Sequence, residues 1–137
     1  MKFVKALVLI LLSSAALADA ELVGPYTRYF GSGANNNDVL FTAEVSQYDA
    51  CTIMSTTGAV DVFVSLDGAN FATAALSMQD MGATSTDPVL VTAVGRVYGF
   101  VVKARSIRVM QNGATAAAAS MNCWKLVSCT PMRFDQR

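Results

Sequence analysis

Apolar and polar residues alternate most strictly over residues 60–66, where the chain reads Val-Asp-Val-Phe-Val-Ser-Leu. This alternation places every second side chain, from Val60 to Leu66, on one face, as in a β-strand that is buried on one side. The strand runs into Asp-Gly-Ala-Asn at 67–70, residue types that are typical of a tight turn. We interpret this segment as a turn and not as a calcium loop, because it lacks the spaced ligands and the closing glutamate of such loops.

Similar alternating or apolar segments recur along the chain, separated by turn-forming residues at intervals of roughly eight to twelve residues. A stretch at 77–88 interrupts them and is predicted to be a long exposed loop. Asn112-Gly113 is a strong hairpin signal. About eight antiparallel strands of this kind predict an all-β fold, a single β-sandwich or jelly roll. The predicted strands cover residues 39–45, 51–56, 60–66, 71–76, 89–94, 97–103, 107–111, 114–120 and 121–127.

The chain has two segments ahead of the predicted sandwich. Residues 1–18 contain two lysines near the start, then an apolar run and small residues, which is the pattern of a secretory signal. The apolar run is shorter than the roughly 20 residues of a membrane-spanning helix, so no stable membrane span is predicted. The segment is either cleaved or retained as an assembly arm. Residues 19–38 are predicted to form an aromatic, Gly/Asn-rich arm, and residues 39–137 the β-sandwich domain.

The composition narrows the class of protein. The 137 residues, of which 53% are hydrophobic and 15% charged, fit one compact domain. Histidine is absent, which removes the commonest general base, the usual zinc ligand and the Ser-His and Cys-His nucleophile pairs. We therefore predict a protein that is not an enzyme and that has no catalytic residue, cofactor or metal site.

Charge is unevenly distributed along the chain, although the formal net charge is zero. Residues 19–90 carry nine acidic side chains and one basic one, whereas residues 91–137 carry seven basic side chains and one acidic one. The simpler interpretation is that early and late strands pair within one domain. The alternative is that neighbouring copies dock acidic to basic surfaces. Nucleic-acid binding is not predicted, since the basic residues are sparse and are not interleaved with a stacking stripe.

Three cysteines, Cys51, Cys123 and Cys129, cannot all pair within one copy of the chain. A disulfide between Cys123 and Cys129, across a turn, is the candidate we name. Pairing of Cys51 with either of the other two is equally open. A further alternative is that all three are reduced and mostly buried.

Aromatic residues supply further candidates for partner contact. Tyr26, Tyr29 and Phe30 precede the Gly/Asn-rich loop and either grip a partner or pack against the end of the sandwich. Trp124, in a late strand, is expected in the core, with a sugar-stacking platform as the alternative.

Part of this pattern resembles a known family. Residues 60–71 give a strand, a Ser-Leu-Asp-Gly-Ala-Asn turn and the aromatic Phe71, and they are followed by Gly-Arg-Val-Tyr-Gly-Phe at 95–100 and Ile-Arg-Val at 107–109. This order resembles the small β-sandwich modules of tailed-bacteriophage virions, in which tryptophan is common where this chain has Phe71. The resemblance covers roughly residues 39–127. It implies a capsid decoration or tail-associated structural component.

The function predicted from the sequence is that of a virion structural protein, which acts by assembly with other virion proteins and with copies of itself as a homo-oligomer. The alternative is a secreted or periplasmic β-sandwich module that binds a glycan or another surface partner. The residues predicted to contact partners are Tyr26, Tyr29, Phe30, Arg96, Arg105 and Arg108.

Overall fold

The computed structural model describes residues 19–23, 26–83 and 87–125. Every regular element in these ranges is a β-strand, so the predicted all-β class is confirmed. No helix in the same ranges is long and apolar enough to cross a membrane. The strands are β1 (Asp19–Val23), β2 (Tyr26–Gly33), β3 (Val39–Glu44), β4 (Ala50–Thr57), β5 (Ala59–Ser65), β6 (Met78–Asp80), β7 (Pro88–Val89), β8 (Val97–Val101), β9 (Ser106–Asn112) and β10 (Ala117–Trp124).

The strands form two antiparallel sheets. The large sheet has seven strands in the order β1-β2-β10-β4-β8-β6-β7, and the small sheet has three strands in the order β3-β9-β5. β2 of the large sheet packs against β3 of the small one. The two sheets therefore form the predicted sandwich, with the core between them.

The core consists of the side chains that point inward from alternate positions of each strand. In β10 every second residue is buried along the whole strand, and in β4 the same holds from Cys51 to Ser55, as the two-residue period of a strand requires. Both sheets contribute large enclosed side chains, such as Phe41 and Met121. Val60 and Val62 are buried as predicted, whereas Leu66, which lies beyond the end of β5, is 80% exposed.

A disulfide between Cys51 and Cys123 lies within this core. The two residues are direct partners in the register of β4 and β10, and their Cα atoms are 4.2 Å apart. The Cys123–Cys129 pairing predicted from the sequence is therefore wrong, and an alternative left open there is correct. The short sequence spacing favoured a bridge across a turn, but sheet pairing places the thiol of the adjacent strand beside Cys123. Cys129 and the signal-like segment 1–18 lie outside the described residues.

Most of the predicted arm at 19–38 belongs to the sandwich, which corrects the domain boundary at residue 39. β2 pairs with β10 along its whole length, and β1 pairs with β2 at the edge of the sheet. Gly31 lets β2 pass close to the small sheet, because a Cβ at this position would overlap the backbone carbonyl of Leu40. The glycine that resembles part of a linker is thus required by the packing of the two sheets.

The Gly/Asn-rich loop after β2 is anchored to the turn between β9 and β10. Asn37 adopts a positive φ of 67° and donates its amide to the Gln111 carbonyl at 3.0 Å. The Asn36 side chain accepts a hydrogen bond from the Gly113 amide at 2.8 Å. Asn112-Gly113 does mark a turn, but the predicted hairpin is wrong because β9 and β10 belong to different sheets.

Other predicted elements also differ from the observed ones. Residues 71–76 form a loop that donates two backbone hydrogen bonds to β5, in place of a return strand. The segment 77–88, predicted to be an exposed loop, contains β6, whose first residue Met78 is buried. The two strands predicted at 114–120 and 121–127 are replaced by the single strand β10 in the described part of this region.

Candidate functional site

Outward-facing side chains of the large sheet line up in rows, because the adjacent strands are in register. The first of these, which we call the aromatic row, crosses β2, β10, β4 and β8. Tyr26 and Trp124 lie directly opposite each other in it, which brings their Cβ atoms to about 5 Å. The aromatic row consists of Tyr26, Trp124, Ala50 and Val101.

The next row crosses the sheet two residues further along the strands, and we call it the polar row. It carries a guanidinium, two amides and a hydroxyl, which are all groups with defined hydrogen-bond directions. Arg28 donates a hydrogen bond from Nε to Oδ1 of Asn122 at 3.2 Å, which restrains both side chains. The polar row consists of Arg28, Asn122, Thr52, Gly99 and Gln79.

A groove lies between these side chains on the outer face of the large sheet. Ala50 of β4 forms part of its floor, and Trp124 stands at one side. Pro88 and Met81 stand at the other side, where the Met81 sulfur packs over Gly99, 2.9 Å from the position that a Cβ would occupy. The groove has a volume of about 460 Å³, within the range of small-molecule binding sites.

A smaller depression adjoins the groove. It has a volume of about 180 Å³ and includes Arg28 and Asn122 of the polar row together with Met54 and Val97. Thr52 lines both hollows. The outer face therefore offers two adjoining hollows with a shared hydroxyl-bearing residue between them.

The predicted aromatic cluster is divided between the two sides of β2. Tyr26 and Phe30 lie on the outer side, and Phe30 is 40% exposed, whereas Tyr29 is buried in the core. The Tyr29 hydroxyl donates a hydrogen bond to the Glu44 carbonyl at 3.3 Å. Burial raises the pKa of Tyr29 well above its ordinary value. Tyr29 therefore packs in the core, as one of the two interpretations predicted. Tyr26 and Phe30 lie on the outer side and remain candidates for partner contact.

Two of the arginines predicted to contact partners form ion pairs within the domain. Arg96 Nε lies 2.7 Å from Oδ2 of Asp80, and Arg105 Nε lies 3.1 Å from Oε1 of Glu44. Both pairs join the acidic part of the sequence to the basic part. The simpler interpretation of the charge asymmetry, pairing inside one domain, therefore accounts for these two residues.

Arg108 makes a different contact on the outer face of the small sheet. Its guanidinium carbon lies 3.9 Å from the centre of the Phe71 ring, a cation–π geometry. Phe71, the aromatic residue of the family resemblance, therefore packs with the small sheet and is not part of the groove.

The turn at Asp67 is closed by its own hydrogen bonds. The carboxylate accepts bonds from the Ala69 and Asn70 amides, both at 2.8 Å, and from the Ser65 hydroxyl at 2.9 Å. These bonds, those from Asn70 first, hold the pKa of Asp67 well below its ordinary value. The predicted turn is confirmed. Across the ranges that the structure describes, no three potential metal-ligating side chains come together.

Sequence reasoning missed most of the groove. The prediction that Trp124 lies in the core is wrong, because its neighbour Cys123 is buried and successive residues of a strand point to opposite faces. The alternation of residue types in the sequence, with Asn122 between Met121 and Cys123, was a usable signal for this position. Thr52, Gly99 and Met81 gave no such signal, since only the pairing of β4, β8 and β6 brings them together.

Comparison with known proteins relates this fold to a phage-derived structure. No protein-family model matches the chain, and no curated protein matches it. The crystal structure of the SPBc2 prophage-derived protein YomS is similar, with a TM-score of 0.53 and 9% sequence identity. The match covers 75% of this chain and 98% of YomS. At this identity the likeness shows a shared fold.

Proposed function

We propose that this chain is a non-enzymatic structural component of a phage particle, where it acts through contacts with other virion proteins and with copies of itself. The observation that carries the proposal is the fold shared with a prophage-derived protein over 98% of that protein's length. The resemblance of residues 60–71 and 95–109 to virion β-sandwich modules points in the same direction. The sequence pattern and the fold thus both support a phage-related role, and the structural role within the particle is our proposal.

The chemistry of the described side chains supports assembly in preference to catalysis. Asp67 is committed to its turn, and Asp80 and Glu44 are paired with arginines. The pKa of Glu44 is lowered, first by the hydrogen bond from Ser106 and then by Arg105, so this carboxylate is suited to remain ionised and not to exchange protons near neutral pH. These polar groups stabilise the scaffold.

The disulfide between Cys51 and Cys123 supports a location in an oxidising environment. Cys51 and Cys123 join the central strands of the large sheet, and structural disulfides are maintained on virion and cell surfaces and in the periplasm. We therefore propose a position on the outside of the virion. Export to the periplasm, which the signal-like residues 1–18 would provide, is the alternative route to the same oxidised state.

The proposal is tested by locating the protein. Particles from a lysate of the phage that encodes this chain are purified by density gradient, and their proteins are quantified by mass spectrometry. A virion component is expected to band with the particles at a fixed ratio to the major capsid protein and to remain there after high-salt washing. Recovery of the chain solely in the soluble or periplasmic fraction would contradict the proposal.

A further inference from the structure

We infer that the outer face of the large sheet binds a neutral oligosaccharide, with one pyranose ring in the groove beside Trp124 and the next ring over the polar row. This binding activity goes beyond the proposed structural role and does not depend on it. The shape of the groove, the aromatic side chains at its edge and the polar groups beside it support this binding.

The shape of the groove fits a ring-sized ligand. Its floor is low at Ala50, which has a short side chain, while Trp124 stands on one side and Met81, whose sulfur packs over Gly99, stands on the other. The volume of about 460 Å³ lies in the range of small-molecule sites. Met81 is 62% exposed, and its unbranched side chain can adjust to the edge of a bound ring. A ring lying on the floor is therefore enclosed on two sides.

The aromatic row supplies the apolar surface that a pyranose ring needs. A sugar ring presents C–H groups on its faces and hydroxyl groups around its rim. Trp124 offers a large flat surface with a polar edge, and it is half-buried, so it is held in place while part of its ring remains accessible. Tyr26, directly opposite on β2, extends the aromatic surface beyond the groove.

The polar row supplies hydrogen-bonding groups at the rim of the same surface. Thr52 and Gln79 line the groove itself, and Arg28 and Asn122 line the adjoining hollow. Hydroxyl and amide groups both donate and accept hydrogen bonds, and a guanidinium donates several in one plane. The vicinal hydroxyl groups of a sugar match these groups, because each hydroxyl also donates and accepts.

An oligosaccharide fits better than a single sugar. The hollow of about 180 Å³ adjoins the groove and shares Thr52 with it, so a second ring linked to the first would lie over Arg28 and Asn122. None of the described residues that line the groove is charged, and the adjoining hollow has one charged side chain, Arg28, whose remaining N–H groups can donate to sugar hydroxyl groups. The groove therefore fits an uncharged ring, and the hollow fits the hydroxyl groups of the next ring.

An aliphatic protein side chain fits this surface less well. Such an anchor would fill the groove but would bury the Thr52 hydroxyl without offering it a hydrogen bond, and a desolvated polar group without a partner opposes binding. A glycan brings both an apolar face and hydroxyl groups. This mixture of aromatic and polar groups on one flat sheet face decides between the two occupants.

The test uses Trp124, the single tryptophan of the chain, as its own reporter. Full-length protein is titrated with five neutral oligosaccharides up to millimolar concentration, namely the tetraoses of cellulose, chitin, xylan, mannan and amylose. At least one of them is expected to give a saturable change in tryptophan emission, with a binding isotherm of the same midpoint by calorimetry. Absence of a saturable signal from all five in both measurements would overturn the inference.

Variants then locate the binding site. Gly99→Val takes the place of the Met81 sulfur, so it displaces the Met81 side chain from its position beside the groove and retains the reporter. Thr52→Val removes a hydroxyl from the boundary of the two hollows while keeping the side-chain shape. Each is expected to weaken binding about tenfold or more, as for other substitutions at the centre of a binding site. Trp124→Ala, followed by calorimetry, is expected to abolish it. Leu66→Ala, an exposed apolar substitution outside the groove, is the matched control and should bind as the unmodified protein does.

Three outcomes separate this inference from the proposed function. A protein that bands with phage particles, with sugar binding unaffected by Gly99→Val and Thr52→Val when both variants are folded, would overturn the glycan site and leave the structural role intact. A Gly99→Val variant that is folded but no longer joins particles, in a protein that binds none of the sugars, would assign the groove to assembly and likewise overturn the inference. Sugar binding by a protein absent from particles would contradict only the structural role.

Discussion

The outer faces of the two sheets differ in how their polar groups are used. On the small sheet, Glu44 accepts a hydrogen bond from Ser106 at 2.9 Å, and Arg108 covers Phe71. On the large sheet, the described outer positions combine the aromatic row with the polar row, where the Arg28–Asn122 bond is the example of an internal contact. The outer face of the small sheet is held by contacts within the chain, whereas the outer face of the large sheet carries the groove.

This difference indicates which outer face tolerates substitutions without a loss of stability. Contacts on the small-sheet face hold loops in place, for example the loop at 71–76 beside β5. Groups in the groove of the large-sheet face lie over strands that are already fixed by their backbone ladders and by the disulfide below them. We therefore expect substitutions on the small-sheet face to reduce stability and substitutions in the groove to reduce binding.

The largest expected effect concerns the disulfide that supports the large-sheet face. Replacing both Cys51 and Cys123 by alanine is expected to lower the free energy of unfolding by about 4 kcal/mol, because the bridge closes a loop of 72 residues in the unfolded chain. Urea unfolding, followed by tryptophan fluorescence, measures the change. Addition of a reductant should have a similar effect on the unmodified protein.

The matched control for the disulfide is Cys129→Ala. This variant is expected to retain the bridge, which mass spectrometry of the non-reduced, digested protein detects as linked peptides containing Cys51 and Cys123. Loss of the bridge in Cys129→Ala, with no change in Cys51→Ala, would restore the pairing predicted from the sequence and remove the covalent support from the large-sheet face.

A smaller effect tests the comparison of the two faces directly. In a double-mutant cycle with Arg108→Ala and Phe71→Ala, the coupling free energy is expected to be about 0.5–1 kcal/mol, the usual size of an exposed cation–π contact. Thr52→Val on the large-sheet face is expected to change the free energy of unfolding by less than about 0.5 kcal/mol. If Arg108→Ala and Thr52→Val lowered the free energy of unfolding equally in chemical denaturation, the polar groups of the two faces would contribute equally to stability, which would contradict the comparison.

The smallest effect is a pH dependence at the turn beside the small sheet. The pKa of Asp67 is lowered from 3.8 by its hydrogen bonds, so its stabilising contribution is present above that pH and is lost as the pH falls through the folded-state value. The melting temperature of Asp67→Asn should therefore lie below that of the unmodified protein at pH 7, and the difference between the two should become smaller as the pH is lowered towards 2. A gap that is constant across this range would contradict the role of the ionised carboxylate.

The sequence predicted some elements well because their signals are local. β5 and the Asp67 turn follow from alternation and turn chemistry within a dozen residues, and β4 and β9 are close to their predicted bounds. β2 was missed because glycine and serine at its end resemble a linker. Only contact with β10 and the small sheet gives Gly31 its role.

The candidate site was less predictable for the same reason. Aromatic residues that adjoin in sequence, such as Tyr29 and Phe30, lie on opposite sides of β2, whereas Tyr26 and Trp124 meet from distant parts of the chain. The arginines singled out by charge pair within the domain or stack on Phe71. Charge asymmetry alone does not distinguish internal pairing from contact with a neighbour.

The sequence by itself determined the all-β class, the alternation that builds the core and the turn that ends β5, because these depend on residues near one another in the chain. Tertiary structure alone decided the partner of Cys123, the incorporation of β2 and the outer position of Trp124. These depend on strand order and register, which join residues far apart in the chain, such as Arg28 and Asn122, which are 94 positions apart. The groove exists because that pairing sets Ala50 between Trp124 and the Met81 side chain, which packs over Gly99.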